Sequence, residues 1–403
     1  MKSLLIRNAR ILTLGSSELP RRGAELRDLG VIPQGDVLIE AGRIAAVGPN
    51  INIPDTPDTI NAAGRVLMPG FVDCHTHACW AGDRLAEWEM KLRGVPYLEI
   101  LQAGGGIHST VRAVRASSET QLAAGLRTRL DAMLRGGTTT VEVKSGYGLS
   151  TEAELKMLLA IRHAARDWPG LVIPTALLGH AYEGDFEEFV ERTITETLPQ
   201  LRYEFPGLTV DAFCEKGAWT VDACVRLFEE AARRGHPCRV HVDQFNSLGM
   251  LREALRLEAR SVDHLEATAD ADIALLGQSR SYGVILPCTG FHTDGRYARG
   301  RTLVDTGAAL ALATNCNPGS APTHSMPFAI ALAVRHCGLT PAEAITACTI
   351  NAAALLHRND RGRIERGLRA DLILLAHKDE RQLAYELGGN PVDLVICGGR
   401  VVG

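Results

Sequence analysis

Residues 67–77 read LMPGFVDCHTH, an apolar run that ends in two histidines, His75 and His77, two positions apart. A short apolar run punctuated by Pro and Gly reads as a strand buried on both faces rather than as a helix. Side chains i and i+2 of a strand share a face, so the two imidazoles at its end would converge on one point. Seven runs of the same kind follow: Thr138 to Lys144, Leu171 to Leu178, Thr209 to Glu215, Cys238 to Phe245, Ser261 to Glu266, Gly283 to Thr289 and Ala308 to Asn315. Helical segments separate them. Eight buried parallel strands alternating with helices predict an α/β fold, a (β/α)8 barrel of the TIM type.

Several helix ends are also legible. Thr151 with Glu154 reads as a capping box, as does Thr340 with Glu343, where Pro341 takes the first helical position; Gly136 and Gly137 would stop the helix before the second strand. Outside the barrel the pattern changes. Leu4 to Leu14, Val37 to Val47, Asp371 to Leu375 and Val392 to Val402 read as strands, which predicts a small β-sandwich domain built from both termini, residues 1–65 and 356–403, around a catalytic barrel of residues 66–355. The stretch GSSELPRRGAELRDLGVIPQ, residues 15–34, reads as an extended loop.

Composition narrows the function. The 403 residues are 46% apolar and 22% charged, enough to bury a sizeable core. The net charge of −4 is scattered, which argues against a general nucleic-acid binder. No apolar window has the length of about 18 residues that a membrane helix needs, and MKSLLIRNARILTL is broken by Arg7, Asn8 and Arg10, unlike a secretory leader. Ten cysteines without a CxxC pair read as free thiols of a reducing compartment, so a cytoplasmic protein is expected; Cys74 and Cys316, close to the site candidates, read as buried packing.

Barrel active sites lie where the C-terminal ends of the strands converge. His241 ends CRVHVDQF, His264 ends SVDHLE, His180 follows VIPTALLGH and Asn315 ends ALALATNCNPG. Singly, each histidine reads as a structural side chain. Together with His75 and His77 they read as the metal centre of a hydrolase, because a cation held by neutral imidazoles lowers the pKa of water toward neutrality. Histidines 108, 163, 236, 336, 357 and 377 read as surface or packing residues, and His292 and His324 follow the seventh and eighth strands. Arg84 in AGDRLAEW offers a planar fork to a carboxylate but reads equally as a solvated arginine. Tyr147, between Gly146 and Gly148, fits either a rim loop or the core, and Asn317-Pro318-Gly319-Ser320 fits a simple turn.

The motifs PGFVDCHTH (69–77), YLEILQAGGGIHSTV (97–111), GGTTTVEVKSGYGL (136–149), VDAFCE (210–215), VDHLE (262–266), NPGS (317–320) and ITACTINAA (345–353) resemble the imidazolonepropionase family of the amidohydrolase superfamily over nearly the whole chain. The resemblance implies hydrolysis of the ring of 4-imidazolone-5-propanoate to N-formimidoyl-L-glutamate in histidine degradation, with one divalent metal ion, zinc or iron, and a homodimer. It implies His75, His77 and His241 as metal ligands, with Asn315 at the fourth position. Arg84 and Tyr147 would hold the substrate, with His180, Gln244, Asn317, Gly319 and Ser320 in the pocket. Another deaminase or cyclic-amide hydrolase of the superfamily, or a catalytically weakened homologue that only binds a ligand, is the competing expectation.

One position departs from the family pattern ATDxNPG: this chain reads Ala313-Thr314-Asn315-Cys316-Asn317-Pro318-Gly319. An amide can offer its carbonyl oxygen but has no charge and is no base. Losing an uncompensated base leaves a rate lower by about 10² to 10⁴. His264 is the candidate to replace it. Gln244, where some relatives have Glu, can hydrogen-bond the ring but not shuttle a proton, so His264 and Gln244 form the catalytic expectation. Asp243 and Glu266 could orient His241 and His264, but surface ion pairs are the preferred reading of both.

Overall fold

The computed structural model describes residues 3–15, 18–52, 58–95, 99 and 104–402. In the YLEILQAGGGIHSTV motif, residues 97, 98 and 100–103 lie outside the described residues, as do residues 16 and 17 of the expected 15–34 loop. The strands are β1 Leu4–Leu12, β2 Val31–Glu40, β3 Arg43–Gly48, β4 Asp58–Asn61, β5 Val66–Pro69, β6 Phe71–Asp73, β7 Thr138–Lys144, β8 Leu171–Gly179, β9 Thr209–Cys214, β10 Cys238–Val242, β11 Ser261–His264, β12 Tyr282–Ile285, β13 Ala309–Leu312, β14 Leu372–Leu375, β15 Val392–Cys397 and β16 Arg400–Val401.

Strands β6 to β13 pair in chain order, every neighbour parallel, as the eight runs predict. Helices such as Thr151–Ala165, Val221–Arg233 and Met326–His336 separate them. The two ends of this order meet just beyond the strands: Asn315 N–H donates to the His75 carbonyl (3.1 Å) and His77 N–H to the Cys316 carbonyl (3.0 Å). The closing seam of the barrel therefore runs through the metal-site candidates themselves. The remaining eight strands form a separate, mostly antiparallel sheet from both termini, with its own apolar cluster that includes Ile6, Val37, Leu372 and Ile396.

The first run is not one strand. Val66–Pro69 belongs to the terminal sheet and Phe71–Asp73 to the barrel, and the chain crosses between them at Gly70. A Cβ at Gly70 would lie 2.4 Å from Thr139 Oγ1, so only glycine lets the crossing pack against β7. The expected 15–34 loop also has more structure than its composition suggests, with a 3-10 turn at Gly23–Arg27 and β2 starting at Val31. Its anchor is Arg21, fully buried, whose guanidinium donates to the carbonyls of Leu14 (2.8 Å) and Gly15 (3.0 Å).

Apolar packing divides the barrel by depth. Val72, Ile173, Val284 and Ala311, from strands on opposite sides, meet inside it and pack against Ala352 and Leu355 of the helix Ile350–Leu355. Toward the C-terminal ends the inward residues turn polar, and there the site is built.

Candidate active site

His75 and His77 lie just past β6 rather than on it, His241 lies in β10, and His264 ends β11. Their rings pack as one cluster: the centroid of His75 is 5.3 Å from His77, 4.6 Å from His241 and 5.9 Å from His264. Backbone strain accompanies this convergence. His264 and Asn315 have φ of 89° and 56° in the left-handed region, and Asp243 has 54°. Such values are uncommon outside glycine and cost of order 1–3 kcal/mol each.

Buried carboxylates orient two of the rings. His75 Nδ1 donates to Asp263 Oδ2 at 2.6 Å, and His241 Nδ1 donates to Asp211 Oδ1 at 3.1 Å. Each ring therefore carries its proton on Nδ1 and presents Nε2 as an acceptor. Burial lowers the pKa of His75, His77 and His241, and the nearby Lys144 ammonium lowers them further, so the rings are neutral.

The donor set fits a cation. His75, His241 and His264 offer ligand atoms within 4.8 Å of one another, and His77 Nε2 lies 3.3 Å from His241 Nε2. His241 Nε2 is a lone pair, so at that separation it faces either a proton on His77 Nε2 or a cation held between the two nitrogens. Two nitrogens bound to one tetrahedral ion at about 2.05 Å would be roughly 3.3 Å apart. In addition, His75 Nε2 and Asn315 Oδ1 are buried without a hydrogen-bond partner; His77 Nδ1 also lacks one, on the side of its ring away from His241. Asn315 Nδ2 donates to Thr289 Oγ1 at 2.7 Å, which fixes the amide so that its oxygen is the atom left over.

Behind the imidazoles lies a chain of buried charges that sequence reasoning missed. Asp263 Oδ2 also accepts from Arg239 Nη2 (2.6 Å); Arg239 Nη1 stands 3.5 Å from Glu142 Oε1. Lys144 Nζ then bridges Glu142 Oε1 and Asp211 Oδ2, both at 2.8 Å. The chain runs from His75 through Asp263, Arg239, Glu142, Lys144 and Asp211 to His241, without a break to solvent. Burial disfavours the Lys144 ammonium, yet Asp211, Glu142 and Asp263 hold its pKa above the ordinary value. Burial opposes ionisation of Asp211 as well, but His241 and Lys144 draw its pKa well down. Three carboxylates against two cations leave a formal charge of −1 beside the neutral rings, a favourable field for a divalent ion. The signal was present in the strands: Glu142 and Lys144, like Arg239 and His241, are i and i+2 in runs otherwise buried on both faces, where a charged side chain must find an internal partner.

The two carboxylates considered from sequence are buried, not surface partners. Asp243 accepts from Thr268 Oγ1 (2.9 Å), not from His241, because its left-handed backbone breaks the strand alternation. Glu266 accepts from His264 Nδ1 at 3.2 Å, with 4% of its side chain exposed.

A cavity of about 60 Å³ opens onto the cluster, lined by His77, Tyr147, His180, Phe213, His241, Gln244, His264, Asn315, Asn317 and Ser320. His180 stacks on His77 at 5.1 Å and donates from Nδ1 to the Gly146 carbonyl (2.9 Å), which leaves its Nε2 as an acceptor; burial lowers its pKa to about 3. Burial raises the Tyr147 phenol, which stays a neutral donor. Asn317 closes its turn by accepting from Gly319 N–H (2.8 Å) and Ser320 N–H (2.7 Å). Arg84 does not line this cavity. It borders an adjoining one of about 440 Å³ with Trp80, Trp88, His292 and Pro318, its guanidinium bound to Glu87 and beside Gly319. Other histidines lie elsewhere: His108, His163 and His377 pair with Glu183, Glu119 and Glu386, His236 Nδ1 donates to the Leu208 carbonyl, and His336 stacks on Tyr297.

Comparison with known proteins places this geometry. Residues 66–402 match the model of the amidohydrolase family. An imidazolonepropionase of Herpetosiphon aurantiacus is 44% identical over 99% of this chain and 96% of its own. Another, of Deinococcus radiodurans, is 44% identical over 94% of this chain and 95% of its own. Among solved structures, an adenosine deaminase of Xanthomonas campestris with bound zinc superposes with a TM-score of 0.71 at 20% identity, covering 99% of this chain and 92% of that one, a likeness of fold. The chain belongs to the amidohydrolase family and, within it, to the imidazolonepropionases.

Proposed function

We propose that the chain hydrolyses the ring of 4-imidazolone-5-propanoate to N-formimidoyl-L-glutamate, the histidine-degrading activity that the name of its relatives carries. His75, His77 and His241 would hold one divalent ion, zinc or iron, with the oxygen of Asn315 as a further donor. Such an ion acts as a Lewis acid and makes water a nucleophile near neutral pH. The observation that carries this reading is the cluster of neutral, buried imidazoles, with His77 Nε2 3.3 Å from His241 Nε2 and with His75 Nε2 and Asn315 Oδ1 lacking any partner, at the floor of a polar cavity.

The chain's own groups account for the rest. Glu266 engages Nδ1 of His264, so Nε2 is the nitrogen that takes a proton from the attacking water and returns it to the ring nitrogen as the C–N bond breaks. Gln244 donates and accepts at the ring amide without moving a proton. The Tyr147 hydroxyl and His180 Nε2 meet the ring edge, the turn of Asn317, Gly319 and Ser320 offers backbone and hydroxyl donors, and Arg84, beside Gly319 of that turn, holds the propionate carboxylate. Ten buried free thiols suit a reducing compartment, in keeping with a cytoplasmic enzyme, and the family resemblance adds a homodimer, which sedimentation equilibrium tests.

Steady-state turnover of imidazolonepropionate by the metal-loaded protein is the test. Ring loss with stoichiometric formimidoylglutamate is expected, and Arg84→Met should raise KM about 10- to 100-fold, the worth of one charge-assisted hydrogen bond, with kcat little changed. No turnover, or an unchanged KM, contradicts the assignment of the reaction or of Arg84 respectively.

A further inference from the structure

Glu154 is a buried carboxylate that neither the cation site nor the proton transfer uses. The expected capping box would direct it back to the start of its own helix. The structure differs: Ser150 caps that helix by accepting from Ala153 N–H, and Glu154 reaches back past the cap into the loop after β7. Its Oε1 accepts from the N–H groups of Gly148 (2.7 Å) and Leu149 (2.9 Å), and its Oε2 from Gly146 N–H (2.8 Å). These donors flank Tyr147 on both sides.

The loop so held is not one the chain would choose alone. Gly146 has φ of 106°, and Leu149, a branched residue, has φ of 52°. A Cβ at Gly148 would fall 2.5 Å from Glu154 N, so the loop lies directly on the helix start. Left-handed backbone at a non-glycine residue persists only where surrounding contacts over-determine it. Three N–H donors on one ionisable carboxylate supply that determination. Two pocket groups depend on it: the Tyr147 side chain, which lines the cavity, and the Gly146 carbonyl, which accepts from His180 Nδ1 and so aims His180 Nε2 at the same cavity.

We infer that Glu154 is a positioning residue for substrate, acting through Tyr147 and His180. The inference rests on the reading above that these two side chains contact the imidazolone ring. It is tested with Glu154→Gln and Glu154→Asp, the first replacing one acceptor oxygen by an NH2 that faces a backbone N–H, the second withdrawing the carboxylate by one methylene. Expected for both is a KM for imidazolonepropionate raised about tenfold or more, with kcat within roughly threefold. In a cycle with Tyr147→Phe, the double variant should lose less than the product of the single losses, because both changes act on one contact.

Hydrogen exchange of the free enzyme supplies a readout independent of turnover. The amides of Gly148 and Leu149 should be protected in the parent and exchange faster in Glu154→Gln while core amides of β9 and β10 stay protected. An unchanged KM, multiplying effects with Tyr147→Phe, or unaltered exchange at Gly148 and Leu149 would overturn the inference. A parent that turns over no imidazolonepropionate but loses Gly148 protection in Glu154→Gln would retain the clamp and remove the substrate reading. If Glu154→Gln fails to fold, Glu154→Asp and exchange in the parent carry the test: an unprotected Gly148 in the parent overturns the clamp.

Discussion

Replacing Asp263 by Asn probes the charged chain behind the imidazoles at its most informative link. One oxygen, Oδ2, stands 2.6 Å from both His75 Nδ1 and Arg239 Nη2. Asn keeps the shape, and its single carbonyl oxygen can stand where Oδ2 accepts from both donors, but it turns both hydrogen bonds from charge-assisted to neutral-acceptor ones and removes the negative charge that favours a cation at His75. Arg239 retains Ser261 Oγ and the Cys74 carbonyl, both at 2.8 Å, and is not orphaned. The stability loss should therefore stay near 1.5–3 kcal/mol, the worth of a charge-assisted bond, below the 3–5 kcal/mol of an abandoned buried charge. Partners of metal-binding histidines are typically worth 10- to 100-fold in metal affinity, about 1.4–2.7 kcal/mol. Competition of the metal-free protein against a chromogenic chelator, with urea unfolding in parallel, measures both. Unchanged affinity in a folded Asp263→Asn variant would refute the idea that this carboxylate prepares His75 for a cation.

Lys144→Met should destabilise more strongly, by about 3–5 kcal/mol in urea unfolding, because Glu142 and Asp211 lose the ammonium they share; a loss below about 1 kcal/mol would contradict the pairing. Asn315→Asp adds charge at an oxygen that lacks a partner, and the Thr289 hydroxyl can turn from acceptor to donor. Chelator competition should show cation binding about tenfold tighter or better, and weaker binding would show that this oxygen faces elsewhere. His180, lowered by burial from 6.5 to about 3, stays neutral in the fold while the unfolded chain takes up a proton. Its contribution to stability is full above pH 6.5 and falls as the pH drops toward 3, by about 1.4 kcal/mol per unit. His180→Gln should flatten the acid side of the stability curve between pH 6.5 and 4 by that slope, and an unaltered slope would contradict a neutral buried ring.

The barrel was legible because its strands, buried on both faces, announce themselves as apolar runs, and because histidines at run ends fall together at one rim. What local patterns could not carry was direction at the strand ends. Alternation assumes extended backbone, and at Asp243, His264 and Asn315 the chain turns left-handed, which sends Asp243 to Thr268 while His241 takes Asp211 from the neighbouring strand. Glu154 misled for a related reason: a Thr-x-x-Glu spacing matches a capping box, but Ser150 stood one residue earlier and the loop after β7 had three N–H groups to satisfy. Pro69-Gly70 could be read as punctuation inside a strand, whereas the passage from one sheet to another depends on Thr139, distant in sequence. Pairings such as Asp263 with His75, 188 residues apart, are set by the closure of the barrel.

X-ray absorption at the metal edge, together with metal analysis of the loaded parent and of His75→Ala, tests the central claim most directly. One ion per chain, with three imidazole nitrogens at about 2.0–2.1 Å, and loss of that ion in His75→Ala are the predicted results. Two ions per chain, a shell without imidazole scattering, or full retention of metal in His75→Ala would contradict the site on which the proposed hydrolysis depends.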